Sequence, residues 1–234
     1  MSKFNCKHQA LLIAWINRAV VQEIGDDEGE RIIRKATKIY AMQRGGRMAQ
    51  RARMNGDALT MNSYYTYVEW VAQKGDFDQK IVEKMPDSRI HVFKCPFHDV
   101  WKENNLMPYG RFYCLEVDKG VVKGFNKDLH VDVLQTKPNG ADYCDLIFKE
   151  GHMNVKNMLK FMYKKYIKLG KKVIKHWEYH CGHTYKTMKD VIQQELGSRS
   201  EGIMEKALQD FTDRFGQEST DIVTSYEHTD FNSI

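Results

Sequence analysis

Residues 94–120 read KCPFHDVWKENNLMPYGRFYCLEVDKG, and the reading of Arg111 to Asp118 within them decides the fold. RFYCLEVD is rich in aromatic and β-branched residues and follows a Pro108-Tyr109-Gly110 turn signal, so it predicts a strand. On such a strand Phe112, Cys114, Glu116 and Asp118 share one face, and Tyr113, Leu115 and Val117 the other. The same kind of short run recurs in RIHVFKC (89–95), LHVDVLQT (129–136) and YCDLIF (143–148), with turn signals at Gly124-Phe125-Asn126 and Pro138-Asn139-Gly140. About four antiparallel strands are therefore expected within residues 89–149. On the third, Leu129, Val131 and Val133 face the core while His130 and Asp132 point away; on the fourth, Cys144 lies with Leu146 and Phe148.

Helical periodicity flanks this region on both sides. Leu12, Trp15, Ile16, Ala19 and Val20 predict a helix over 6–24 that ends at Gly25. Ile32, Ile33, Ala36, Ile39, Tyr40 and Met48 predict a second, from Glu28 to about Ala52, capped by Asp26 or Asp27. Thr60 heads a third, through Tyr64, Val68 and Val71 to about Ala72. The helical period returns from Asn154 to Gly170, and two further helices are expected near 184–196 and 201–215. The expectation is an α+β fold. A domain over 1–150 holds three helices and then the sheet, and a helical extension over 151–234 packs on or beside it.

The bulk properties narrow the class. With 42% hydrophobic residues and only four prolines among 234, the chain has the composition of a folded protein. Its net charge of +5 suits attraction of small anions and falls short of a nucleic-acid signature. The apolar run from Ala10 is broken by Asn17 and Arg18, and no stretch reaches the roughly 18 residues of a membrane span. A cytoplasmic protein with neither a nucleic-acid nor a membrane partner is expected, as a monomer or a homo-oligomer. Five widely spaced cysteines point to thiols rather than disulfides. The lysines at 156, 160, 164, 165, 168, 171, 172 and 175 read as a solvated basic face, and His176, His180 and His183 as capping or surface residues.

Several residues could carry chemistry. Cys95, His98, Cys114 and Cys144 have donors suited to zinc, yet their spacing matches no compact zinc pattern. No cofactor is expected, with a divalent metal such as zinc as the alternative; Cys114 and Cys144 suit an inert core equally well. Arg47, Arg51 and, less well aligned, Arg44 fall on one helical face beside Gly45-Gly46. They would form either a fork for a substrate carboxylate or a solvated basic face. Glu69, beside Trp70, is an acid that a pocket could hold.

YAMQRGGRMAQRARMNGDALTMNSYYTYVEW (40–70), followed by residues 95–148, resembles the L-2-amino-thiazoline-4-carboxylic acid hydrolase family. The elements that carry the resemblance are Arg44-Gly45, Met48, Arg51, Gly56, Cys95-Pro96, Gly110, Tyr113-Cys114, Asp118, Gly124-Phe125-Asn126, Gly140 and Cys144. The resemblance implies a hydrolase that opens a cyclic amidine, 2-aminothiazoline-4-carboxylate, to a carbamoyl-cysteine. Such chemistry needs an activated nucleophile, an acid/base and a grip on the carboxylate of its small-molecule substrate. On that basis Cys114 is expected as nucleophile or part of an activated-water site, with Asp118 as its acid/base partner. His98 or His130 would shuttle the proton, Cys95 and Cys144 would form the pocket wall or be metal ligands, and Arg47 or Arg51 would anchor the substrate. On a strand Cys114 and Asp118 would stand about 13 Å apart, too far for direct contact. The T-x3-G-x2-YC run from Thr136 to Cys144 also resembles 4-vinyl reductase-type domains, which would make the chain a non-catalytic small-molecule sensor.

Overall fold

Residues 111–118 are helical, not extended. In the computed structural model, which describes residues 4–71 and 73–234, they lie inside α5 (Met107–Phe125). Buried Leu106, Gly110, Tyr113, Val121 and Phe125 recur every three or four residues, or at twice that spacing, which is the period of a helix. Pro108 stands in the first turn, where its missing N–H costs nothing. What reads as a turn is thus a helix start, and an eight-residue aromatic run cannot by itself reveal which period it follows.

The expected α+β class and the four-stranded antiparallel sheet both hold, but the fourth strand is a different one. The sheet is built from β1 (Asp78–Glu83), β2 (Ser88–Lys94), β3 (Val131–Gln135) and β4 (Cys144–Phe148), in the order β1-β2-β4-β3. The segment DQKIVE of β1 is almost wholly exposed and mostly polar, so it carries little strand signal.

Helices α1 (Cys6–Ile24), α2 (Asp26–Met54), α3 (Met61–Thr66) and α4 (Pro96–Glu103) precede α5. Then come α6 (Val155–Met162), α7 (Trp177–Leu196), α8 (Arg199–Phe215) and α9 (Gln217–Thr224). Thr60 caps α3 as expected, but that helix stops at Thr66, short of Val68 and Val71; Ala72, its expected end, lies outside the described residues.

The chain divides into two compact units, each assembled from three segments of the sequence. The first comprises residues 1–40, 96–117 and 176–230, and is helical throughout its described part. At its centre runs α1, buried on nearly every side, from Ala10 to Val20. Two polar groups are held inside it: Gln9 Nε2 donates to Tyr40 Oη at 2.6 Å and to Thr184 Oγ1 at 2.9 Å, and Trp101 Nε1 donates to the Ala10 carbonyl at 2.7 Å. His180 and His183 are buried here on α7, not at the surface.

The second unit comprises 41–95, 118–175 and 231–234 and contains the sheet. Ile90 and Val92 pair with Leu146 and Cys144, and with Val131 and Val133 they form the inward sheet face. Tyr64 and Tyr65 pack on Phe148 at 6.1 and 5.5 Å between ring centres. The other face carries Arg89, bonded bidentately to Asp145 at 2.9 and 2.7 Å.

Within this unit α2 and α5 meet backbone to backbone. A Cβ added at Gly45 would lie 2.1 Å from the Val121 carbonyl oxygen, and one at Gly124 2.1 Å from the Met42 carbonyl oxygen, whereas one at Gly46 meets nothing within 4 Å. Gly45→Ala and Gly124→Ala should therefore each cost about 1–3 kcal/mol or more of stability. Gly46→Ala should be neutral or stabilise by up to about 1 kcal/mol through helix propensity. Urea unfolding midpoints of the three variants test this, and equal midpoints for Gly45→Ala and Gly46→Ala would contradict the close contact.

Candidate active site

Arg44, Arg47 and Arg51 recur at three and four residues along α2, so one face of that helix is lined with guanidinium groups. The structure turns that face inward onto Glu69, which has no solvent exposure. Arg47 donates from Nε and Nη2 to the two Glu69 oxygens at 3.1 and 2.9 Å, and Arg51 Nη1 adds a bond of 2.6 Å. Arg44 Nε stands 3.9 Å from Glu69 Oε2. Arg47 also donates to the Phe231 carbonyl, and the Lys175 backbone N–H donates to the Glu69 carbonyl at 2.7 Å. Arg47 is thus committed to a buried fork. Arg51 keeps Nη2 buried without a hydrogen-bond partner among the described residues.

Removing the acid from such a cluster leaves buried cations uncompensated. Glu69→Gln should lose about 3–5 kcal/mol of stability, read as a lower denaturation midpoint. An unchanged midpoint would show that water already reaches the guanidinium groups.

Asp118 lies on α5 in the same unit, three residues before Val121, which touches Gly45. Its carboxyl is enclosed by protein although the residue keeps some exposed surface, and desolvation pushes its pKa up to about 6, opposed by the charge of Arg44. Its charge reaches two neighbours. Burial, reinforced by Asp118, holds the Tyr64 phenol far above its ordinary value, so Tyr64 stays a protonated donor. The Cys144 thiol is likewise raised, mainly by burial and also by Asp118, while its sulfur accepts from the Lys137 N–H at 3.4 Å. A thiol held protonated is a poor nucleophile. Arg44, Tyr64, Asp118 and Cys144 form one electrostatically coupled group, with Arg47, Arg51 and Glu69 alongside Arg44.

The helical course of α5 changes the relation of the two residues expected to cooperate. Cys114 and Asp118 lie one turn apart on one helix face, a spacing of about 5–6 Å between Cβ atoms rather than about 13 Å. Cys114 belongs to the helical unit, as does His98, whose Nδ1 is 3.0 Å from the carboxylate of neighbouring Asp99. His130 is exposed ahead of β3, where Lys123 Nζ donates to its Nδ1 at 2.9 Å. Cys95 is half-buried between β2 and α4. Among the described residues no group of three or more His, Cys, Asp and Glu side chains could hold a metal ion. Tyr64 reads in the sequence only as a core aromatic, and Arg44 as the worst-aligned of three arginines. The Arg-Gly pair at 44–45 is the one local sign that Arg44 sits where another backbone comes close.

A family model described as L-2-amino-thiazoline-4-carboxylic acid hydrolase matches residues 3–148, which include every member of the coupled group. The chain is therefore of a hydrolase family. It belongs to the L-2-amino-thiazoline-4-carboxylic acid hydrolase family. No curated protein and no solved structure matches it.

Proposed function

We propose that the chain hydrolyses a small cyclic amidine bearing a carboxylate, with 2-aminothiazoline-4-carboxylate as the type substrate, and that Asp118 is the acid/base. The observation that carries the reading is the enclosed Asp118 carboxyl, poised near 6 beside Arg44 within the family-matched span. A pKa close to the working pH serves both directions of proton transfer.

In this reading water adds across the ring C=N bond. Its oxygen bonds to the carbon between nitrogen and sulfur, and its proton passes through Asp118 to the ring nitrogen. The carbon–sulfur bond then breaks as the new hydroxyl gives its proton, again through Asp118, to the departing sulfur. The product is a carbamoyl-cysteine with a free thiol. Tyr64 donates a hydrogen bond from its protonated phenol, Cys144 contributes pocket wall, and the buried Nη2 of Arg51, with no hydrogen-bond partner among the described residues, takes the substrate carboxylate. Water is the nucleophile, and Cys114 lines the helix one turn away.

Thiol release from 2-aminothiazoline-4-carboxylate by the purified protein, with and without a chelator, tests the reaction. Asp118→Asn should lower turnover by about 10²–10⁴-fold. Cys114→Ser should retain turnover, and a loss as deep as that of Asp118→Asn would make Cys114 the nucleophile instead. Since the base form of Asp118 is required, kcat/KM should rise as pH increases through about 6 and level off above it. Binding of the ring compound without turnover would favour a sensor.

The same carboxyl makes a separate prediction for stability. Its folded pKa is raised from 3.8 to about 6, so the folded state binds the proton more tightly than the unfolded chain. The stability this contributes is present below about pH 4 and is lost as pH rises through 6. Asp118→Asn should therefore be more stable than the parent by roughly 1–3 kcal/mol at pH 8, with the advantage disappearing below pH 4. Urea unfolding at the two pH values measures it.

A further inference from the structure

The basic segment after the sheet departs from a simple solvated face. Six of the protein's exposed large apolar side chains fall within thirteen consecutive residues: Val155, Leu159, Met162, Tyr163, Tyr166 and Ile167. Their spacing of four, three, one, three and one is that of a single helical stripe. That stripe faces solvent, with Val155 76% and Ile167 73% exposed, and α6 has no buried residue at all. The opposite side docks through a mixture of groups, with Met158 and Phe161 half-buried, Leu169 buried and several polar contacts beside them. Lys164 pairs with Asp57, Lys165 Nζ donates to the Tyr65 carbonyl at 3.2 Å, and Asn62 Nδ2 donates to the Asn157 carbonyl at 3.4 Å. A contiguous exposed apolar stripe of this kind marks an interaction surface.

Charge decides what covers it. Between Gly151 and Lys175 there are eight lysines and no acidic residue, and Lys156, Lys160, Lys168, Lys171 and Lys172 are exposed. Pairing the stripe with a second copy of itself would set those lysines against each other. An anionic bilayer surface satisfies both features at once. The apolar side chains enter the boundary between headgroups and acyl chains, the lysine stems snorkel to the phosphates, and Tyr163 and Tyr166 suit the interface. No helix of the described residues is long and apolar enough to cross a membrane, so the segment lies on the surface rather than through it.

We propose that residues 155–172, in which α6 runs on into a π-helical stretch (Tyr163–Leu169) and a 3-10 turn (Gly170–Val173), form an interfacial segment that docks this protein, reversibly, on anionic lipid membranes. The exposed lysines supply long-range attraction, which salt screens, and the stripe supplies insertion.

The test is co-sedimentation of the full chain with phosphatidylcholine vesicles, with and without about 30% phosphatidylserine, at low and high salt. The expected result is at least about tenfold stronger partitioning onto the anionic vesicles at low salt, falling at high salt. The double variant Leu159→Glu/Ile167→Glu should lose it, and Lys156→Gln/Lys160→Gln/Lys168→Gln should weaken it several-fold. Because the altered residues are exposed, the fold should survive, as circular dichroism checks. Tyr163→Trp provides an independent readout that perturbs nothing else: its added emission should shift to the blue on anionic vesicles. The proposal is overturned by equal binding to neutral vesicles, by binding that survives the stripe substitutions, or by emission of the Tyr163→Trp variant that does not shift. It is also overturned by a concentration-dependent dimer, or by a complex with an acidic protein, in the absence of vesicle binding.

Discussion

The contact between the backbones of α2 and α5 sets what the sheet-containing unit can do. With hydrogen in place of Cβ at Gly45 and Gly124, the Val121 and Met42 carbonyls occupy space that a side chain would otherwise fill. Arg44 stands next to Gly45, and Asp118 lies just under one turn before Val121. Close approach of the two helices is therefore what brings a guanidinium's field onto a desolvated carboxyl. Larger residues at the glycines would separate the helices and dissolve that coupling before touching either charged group.

Two acids near the same arginines meet opposite fates, and the cause is geometric. Glu69 accepts charge-assisted bonds from Arg47 and Arg51, which compensate its complete burial. At Asp118 the charge of Arg44 favours the carboxylate, and desolvation outweighs that attraction. One carboxylate thereby serves as a structural counterion, while the other is left able to exchange a proton near neutral pH. This division explains how a run of three arginines can be mostly architectural and still oppose the upward shift of a second carboxyl.

The α6 region inverts the usual logic of a surface helix. It is held by polar contacts of Lys164, Lys165 and Asn157 together with Met158, Phe161 and Leu169, and it still directs six large apolar side chains outward. Lys165 illustrates the cost: burial holds its ammonium below its ordinary value, while the Phe161 ring lies 5.4 Å from its nitrogen. A lipid surface would remove the penalty on the exposed side.

The sequence by itself determined the α+β class, the family, most of the helices and three of the four strands, because long periodic segments and bounded β-branched runs follow from side-chain chemistry alone. It also marked Arg44, Arg47, Arg51, Glu69, Asp118 and Cys144 as residues of interest. Tertiary structure decided the rest. It made 111–118 a helix, since eight residues fit either period until Leu106, Gly110, Val121 and Phe125 show which face is buried. It supplied the exposed polar strand β1, whose stability comes from pairing with β2 rather than from its own residues. It gave the two acids different partners and left six large apolar side chains of residues 155–167 exposed. Burial, pKa and the direction of a helical face depend on neighbours distant in sequence, and only the folded chain brings those neighbours into place.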